Sequence, residues 1–176
     1  MSWPFITITL VVLSILEVPV NGYLKLLGAG PELVLLGVVY FSLYSSKEAG
    51  LVCGLMGGVI KMALSGLNPV ILIIYASIGF AAGLYKEMLY KQLSSARMIL
   101  AFAAVVYSNI IYGFLISSLG FPYYKMIFFI CIPSAIYTAA LAPPIFIVLD
   151  SITPPREVEY REIIFKKRVY EGRRPQ

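Results

Sequence analysis

The sequence predicts an all-α integral membrane protein with about six transmembrane helices packed as a compact bundle. Two observations carry this prediction. The chain of 176 residues is 60% hydrophobic and only 13% charged, whereas roughly a quarter of the residues of a soluble domain are charged. Its apolar residues also fall into runs separated by turn-forming segments, and about 20 apolar residues cross a bilayer as a helix.

The apolar runs define the predicted spans. Turn-forming or charged segments separate these runs, including "SSKEAG", "SGLNP" and "SSLGFP". Lys47 and Glu48 interrupt the second and third runs, which argues against fusing them into one span. These two runs are short, so they either cross with some mismatch or form a shallow hairpin. The six predicted spans are 3–23, 31–46, 49–66, 69–86, 97–119 and 124–149.

The distribution of basic residues predicts the topology. With a cytoplasmic N-terminus, eleven Lys and Arg residues lie in inside segments, two lie in outside loops, and Lys61 lies within a span. The positive-inside rule therefore predicts that both termini are cytoplasmic. The first apolar run has no basic leader and no small-residue cleavage site, so we expect it to be retained as a span.

Two regions follow from this pattern: a transmembrane domain over residues 1–149 and a basic cytoplasmic tail over residues 150–176. The tail either holds the topology as a solvated segment, or contacts anionic lipid headgroups or a cytoplasmic partner. Four glutamates interrupt its basic run, so we expect no nucleic acid partner. The basic residues assigned to this contact are Arg161, Lys166, Lys167 and Arg168.

The sequence offers little chemistry for catalysis. It has no histidine, and its two cysteines, Cys53 and Cys131, lie in separate apolar runs. It also lacks a glycine-rich phosphate loop, a metal-ligand cluster and a Ser/His/Asp set. These patterns predict that the protein is not an enzyme and holds no cofactor or metal.

Small residues recur at helical spacing in the third span, "GLVCGLMGGVIKMALSG". Residues four apart share a helix face, and faces of small residues let two helices approach closely in lipid. The fourth span repeats the pattern in "IGFAAG". The sequence therefore predicts a tightly packed hairpin of spans three and four. The residues assigned to this packing or partner interface are Gly50, Gly54, Gly58, Ser65, Gly66, Gly79 and Gly83.

Lys61 lies on the arc of the small residues, so we expect it to face protein or a polar cavity. Glu17 lies about as deep in the first span as Lys61 does in the third, within one helical turn. An unpaired charge at depth is costly, so the pattern predicts a Glu17–Lys61 ion pair. The alternative is that Lys61 extends to the outer headgroups. Under the pairing hypothesis, Lys61→Glu should rescue Glu17→Lys.

Several stretches taken in order resemble the rod shape-determining protein MreD family. "GPELVLLGVVYFSLY" resembles that family's proline-led second span, and "GLMGGVIKMALSG" resembles its Gly-x-x-x-Gly motif, with Gly54, Gly58, Ser65 and Gly66 matching. "YASIGFAAGLYK" and "APPIFIVL" resemble its fourth and last spans. The likeness covers most of residues 1–149. One departure is that Met62, preceded by Lys61, stands where relatives commonly carry an acidic residue.

The resemblance implies a non-enzymatic scaffold in the bacterial cytoplasmic membrane, within the cell-elongation machinery that synthesises peptidoglycan. The partners it implies are an MreC-like periplasmic scaffold, an MreB-like filament, a RodA-type glycosyltransferase and a class B transpeptidase. The family is similar in architecture to the S components of energy-coupling-factor transporters. A substrate-binding S component for a vitamin is therefore the alternative, and Glu17, Lys61 and Asn109 would line its pocket.

Overall fold

The computed structural model describes residues 3–23, 30–66, 68–85, 94–117 and 131–153. These residues form helices and no strands, so the all-α prediction is confirmed for them. The six helices are α1 (Trp3–Tyr23), α2 (Leu33–Leu43), α3 (Lys47–Ser65), α4 (Val70–Leu84), α5 (Ser94–Ser117) and α6 (Ile132–Ile152).

Three of these helices are long and apolar enough to cross a membrane. They are α1, the Arg97–Phe114 part of α5, and α6. α2 and α4 are apolar but shorter, and α3 carries Lys47, Glu48 and Lys61. Prolines lie inside α1 and α6, at Pro19 and at Pro143–Pro144. Membrane helices tolerate such prolines because neighbouring groups satisfy the freed carbonyls.

α2 is the centre of the described bundle and is shorter than its predicted span 31–46. All 11 of its residues are buried, and it packs against α1, α3, α4 and α5. A helix that is apolar on every side is buried in this way. At 1.5 Å per residue it is only about 17 Å long, against about 30 Å of hydrocarbon. It ends early because Ser46 has extended backbone (ψ 165°) as the N-cap of α3.

The ends of α3 follow ordinary capping chemistry. The Ser46 hydroxyl accepts a hydrogen bond from the backbone N–H of Ala49 at 3.3 Å, and Glu48 lies in the first turn. Both features favour a helix N-terminus. Gly66 ends the helix in the left-handed region (φ 61°), and its N–H donates to the Met62 carbonyl at 3.0 Å. Gly66 is thus a C-cap.

The last helix extends further than predicted. α6 continues to Ile152, past the predicted boundary at 149, because the first helix breaker after it is Pro154. The predicted starts and ends at 86, 119 and 124 lie outside the described residues. The chain divides into two compact units, residues 1–145 and 146–176. The first holds α1 to α5 and most of α6, and the second holds the remaining turns of α6.

Candidate functional site: a buried polar cluster at the start of α2

Glu17 reaches the interior because it lies on the inward face of α1. The buried residues of this helix recur at three- and four-residue spacing, and Glu17 is the last of them at 5% exposure. Ile8, Ile15 and Val18, on other faces, are exposed. A carboxylate in such a place needs partners, since burying an unpaired charge is costly.

The structure brings Glu17 and Lys61 together. Lys61 Nζ donates to Glu17 Oε1, and the two side chains are 13% and 6% exposed respectively. Glu17 Oε2 accepts a second hydrogen bond, from the backbone N–H of Val34 at 3.0 Å. Val34 lies in the first turn of α2, where N–H groups lack partners within the helix and the dipole favours an anion. One carboxylate from α1 therefore holds α3 and the start of α2.

The lysine and the three-step glycine series lie on different sides of α3, unlike the single arc that the sequence suggested. Gly54 and Gly58 face the backbone of α4, whereas Gly57, four residues before Lys61, faces Val38 of α2. Gly57 rather than Gly58 therefore shares the inward direction of Lys61. α3 consequently presents one close-packed face to α4 and another, charged at Lys61, to α1 and α2.

A second carboxylate of the interior, the partly buried Glu32, was not among the predicted site residues. Its Oε1 accepts a hydrogen bond from Asn109 Nδ2 at 3.1 Å, and its Oε2 lies 3.5 Å from the hydroxyl of Tyr75. Lys61 and Glu17 are both close enough to act on it electrostatically. We call Glu17, Glu32, Lys61, Tyr75 and Asn109 the polar cluster. It unites α1, α3, α4 and α5 around the first turn of α2.

The non-helical backbone before α2 is satisfied by hydroxyl groups of α6. The Glu32 N–H donates to Thr138 Oγ1 at 3.0 Å, and Ser134 Oγ donates to the Gly30 carbonyl at 2.9 Å. Thr138 Oγ1 in turn donates to the Ser134 carbonyl at 2.8 Å. Non-helical backbone at membrane depth requires such protein partners. The hydroxyls of α6 thus allow the chain to enter α2 from an extended segment.

The predicted packing residues lie where α3 and α4 meet. A Cβ on Gly50 or Gly79 would overlap the other's carbonyl oxygen. One on Gly83 would lie 2.8 Å from the Cα of Lys47. The chain itself therefore covers this face with α4. Gly66 is the α3 C-cap, and a Cβ added there would meet nothing within 4 Å, so it is not a packing residue.

The remaining predicted sites carry less information. The Ser65 side chain and the tail residues Arg161, Lys166, Lys167 and Arg168 lie outside what the structure describes. Both cysteines are free and buried. Among the described residues, no group of three or more His, Cys, Asp or Glu side chains could hold a metal ion.

The Asn109–Glu32 hydrogen bond leads to a stability prediction. Asn109→Leu should lower the free energy of unfolding by about 1–3 kcal/mol, because a partly buried carboxylate oxygen loses a donor. Asn68→Leu is the control, since Asn68 is exposed. Its side-chain oxygen accepts from Val70 N–H at 3.2 Å, and its backbone carbonyl, which the substitution keeps, accepts from Ile71 N–H at 3.1 Å. Thermal unfolding of both variants in detergent measures the difference. Equal midpoints would contradict a stabilising role for the Asn109–Glu32 contact.

Comparison of the chain with protein-family models, with curated proteins and with solved structures finds no match in any of the three. The class of the protein therefore follows from its own fold. The described residues are all helical, and three of the helices are apolar and long enough to cross a membrane. These features are compatible with a membrane protein whose interior holds a buried ionic cluster.

Proposed function

We propose that this protein is a non-enzymatic membrane scaffold of the bacterial cell-elongation machinery, of the MreD type. The observation that supports this most is the polar cluster, whose charged groups bond to one another and to backbone. Glu17 bonds Lys61 and the Val34 N–H, and Glu32 bonds Asn109. Groups with such partners stabilise a helix assembly, which is the property that a scaffold needs. The ordered sequence resemblance to the MreD family supplies the biological context.

We further propose that the six helices correspond to six spans, with both termini in the cytoplasm. α2 is too short to cross alone, but three non-helical residues lie on each side of it, at 30–32 and 44–46. At about 3.3 Å per extended residue, residues 30–32 add roughly 10 Å, whereas Tyr44 (φ −93°, ψ −1°) lies in a turn. The segment then measures roughly 27 Å, close to the hydrocarbon thickness of about 30 Å. The α6 hydroxyls that bond Gly30 and Glu32 make such a crossing chemically acceptable.

The proposed partners follow from the resemblance and the topology. An MreC-like scaffold would meet the periplasmic side, and RodA-type and class B transpeptidase partners would meet the bundle within the membrane. An MreB-like filament would meet the cytoplasmic side, where the basic tail is expected. The close-packed α3–α4 face is already occupied within the chain, so partners should contact other helix faces.

Complementation tests this proposal. The tagged full chain, expressed in a rod-shaped bacterium depleted of its own MreD-family protein, should restore rod shape and co-purify the MreC-like protein. Lys61→Met should lose both properties, whereas Lys47→Met should retain them, because Lys47 has a side chain that is 54% exposed. Round cells with well-expressed, correctly inserted wild-type protein would contradict the proposal.

The transporter alternative makes a different prediction. An S component would need Glu17, Lys61 and Asn109 to bind a ligand, yet these groups bond one another or Glu32. A panel of vitamins should therefore leave the thermal unfolding midpoint of the purified chain unchanged. A ligand-specific rise in that midpoint would favour the transporter instead, since a ligand that binds only the folded state stabilises it.

A further inference from the structure

A groove between α4 and α5 lies apart from the polar cluster. It encloses a cavity of about 280 Å³ whose floor includes Val39 of α2. Its walls are mainly alanine, with one isoleucine and one leucine, and Tyr85 and Tyr107 on its rim are 48% and 44% exposed. It is nearly all apolar, and it lies beside one of the helices that can cross a membrane.

The two ends of the groove differ. At one end the Ser77 hydroxyl donates to the Tyr107 hydroxyl at 3.3 Å, which joins α4 to α5. Beyond the other end lies Arg97, whose guanidinium carbon is 5.6 Å from the ring centre of Tyr44. Arg97 lies one helical turn before Leu100, on the α5 face that lines the groove. The groove thus has a basic residue near one end and closes at the other.

The distance along α5 from Arg97 to the closed end of the groove matches one leaflet. Ten residues of α5 separate Arg97 from Tyr107, which is about 15 Å of helix and half of a hydrocarbon core of about 30 Å. The predicted topology places the Arg97 end in the cytoplasm together with Lys86 and Lys91. The cytoplasmic leaflet is the one that is rich in anionic lipids.

From the apolar walls, the one-leaflet length and the basic end, we propose that this groove binds one acyl chain of an anionic phospholipid from the cytoplasmic leaflet. The headgroup lies at Arg97 and the chain runs toward the Ser77–Tyr107 contact. This inference goes beyond the scaffold function and does not depend on it. It requires that the chain spans a membrane with the Arg97 end of α5 on the cytoplasmic side.

Native mass spectrometry of the purified full chain in a mild detergent tests the site. The probes are phosphatidylglycerol and phosphatidylcholine with identical acyl chains. Wild type should retain one phosphatidylglycerol in preference to phosphatidylcholine, and single-chain lysophosphatidylglycerol should compete with it. Arg97→Gln should weaken phosphatidylglycerol binding about fivefold, the effect expected from one basic residue at an anionic surface.

A groove-filling variant separates this site from lipid bound elsewhere. Ala103→Phe should abolish the bound lipid, whereas Ala140→Phe, at an exposed alanine of α6, should not. Equal binding of the two lipids by wild type would overturn the proposal. So would unchanged binding by Ala103→Phe, which would indicate that a second copy or another segment of the chain covers the groove. Should Ala103→Phe fail to fold, unchanged affinity in Arg97→Gln alone would overturn it.

Discussion

Replacing Lys61 by methionine should lower the free energy of unfolding by about 3–5 kcal/mol, because the buried Glu17 carboxylate loses its counter-charge. Both side chains are largely buried, so solvent does not replace the lost partner. The double variant Glu17→Gln/Lys61→Met should recover most of this loss. Glutamine keeps an oxygen for the Val34 N–H, and neither position of the pair then carries a charge. Denaturant unfolding of wild type, both single variants and the double variant measures the coupling energy.

Lys47→Met is the matched control for this cycle. Lys47 also lies on α3 and has a carboxylate nearby, Glu48 at 3.9 Å, but these side chains are 54% and 71% exposed. Exposed pairs contribute about 0–1 kcal/mol, so this substitution should be nearly neutral. Equal losses of unfolding free energy for Lys61→Met and Lys47→Met would show that the buried Glu17–Lys61 pair contributes no more to stability than the exposed Lys47–Glu48 pair.

The structure changes what a charge exchange at this pair would report. The sequence suggested that Lys61→Glu should rescue Glu17→Lys. Glu17, however, also accepts a hydrogen bond from Val34 at the N-terminus of α2. Lysine has no acceptor, and a cation at a helix N-terminus is unfavourable. We therefore expect the protein with exchanged charges to be destabilised, although Glu17 and Lys61 are in contact in the wild type. The neutral double variant Glu17→Gln/Lys61→Met is the one that tests the pair.

The parts of the site that sequence could predict are those set by helical periodicity. Glu17 and Lys61 stand alone as charges inside two apolar runs at similar depth, which suffices to suggest a pair. The glycines of α3 and α4 repeat every four residues, so their contact follows from spacing.

Glu32 could not be predicted in this way because it precedes a helix instead of lying within one. Its partners Tyr75 and Asn109 come from distant parts of the chain. The acidic residue directly before an apolar run, as in "GPELVLLG", is the one signal that could have indicated a helix start there. The length of α2 could not be predicted from the sequence either. Its end depends on Ser46 capping the next helix, and its start depends on the Thr138 hydroxyl bonding the Glu32 N–H.

The second large effect is expected at the α3–α4 contact. Gly54→Ala should destabilise the fold by about 1–3 kcal/mol, the usual cost of overpacking. The added Cβ would overlap the Tyr75 carbonyl oxygen and lie 2.8 Å from the Ala76 Cα. Both are backbone atoms of α4, so no side-chain rotation can relieve the overlap and the helices must separate. Gly54→Leu should prevent the close approach altogether.

Gly22→Ala is the control, for which we expect a change in stability of the opposite sign. Gly22 also lies in a helix, but a Cβ there would meet nothing within 4 Å. In a helix, alanine is favoured over glycine by about 0.5–1 kcal/mol, so this change should be neutral or slightly stabilising. Alanine has the same helix-forming advantage over glycine at Gly54. The destabilisation from the backbone overlap must therefore exceed this advantage for Gly54→Ala to lower the stability. Equal unfolding midpoints for the two variants would mean that α3 and α4 are not in backbone contact, whereas opposite shifts would locate the closest helix approach at Gly54.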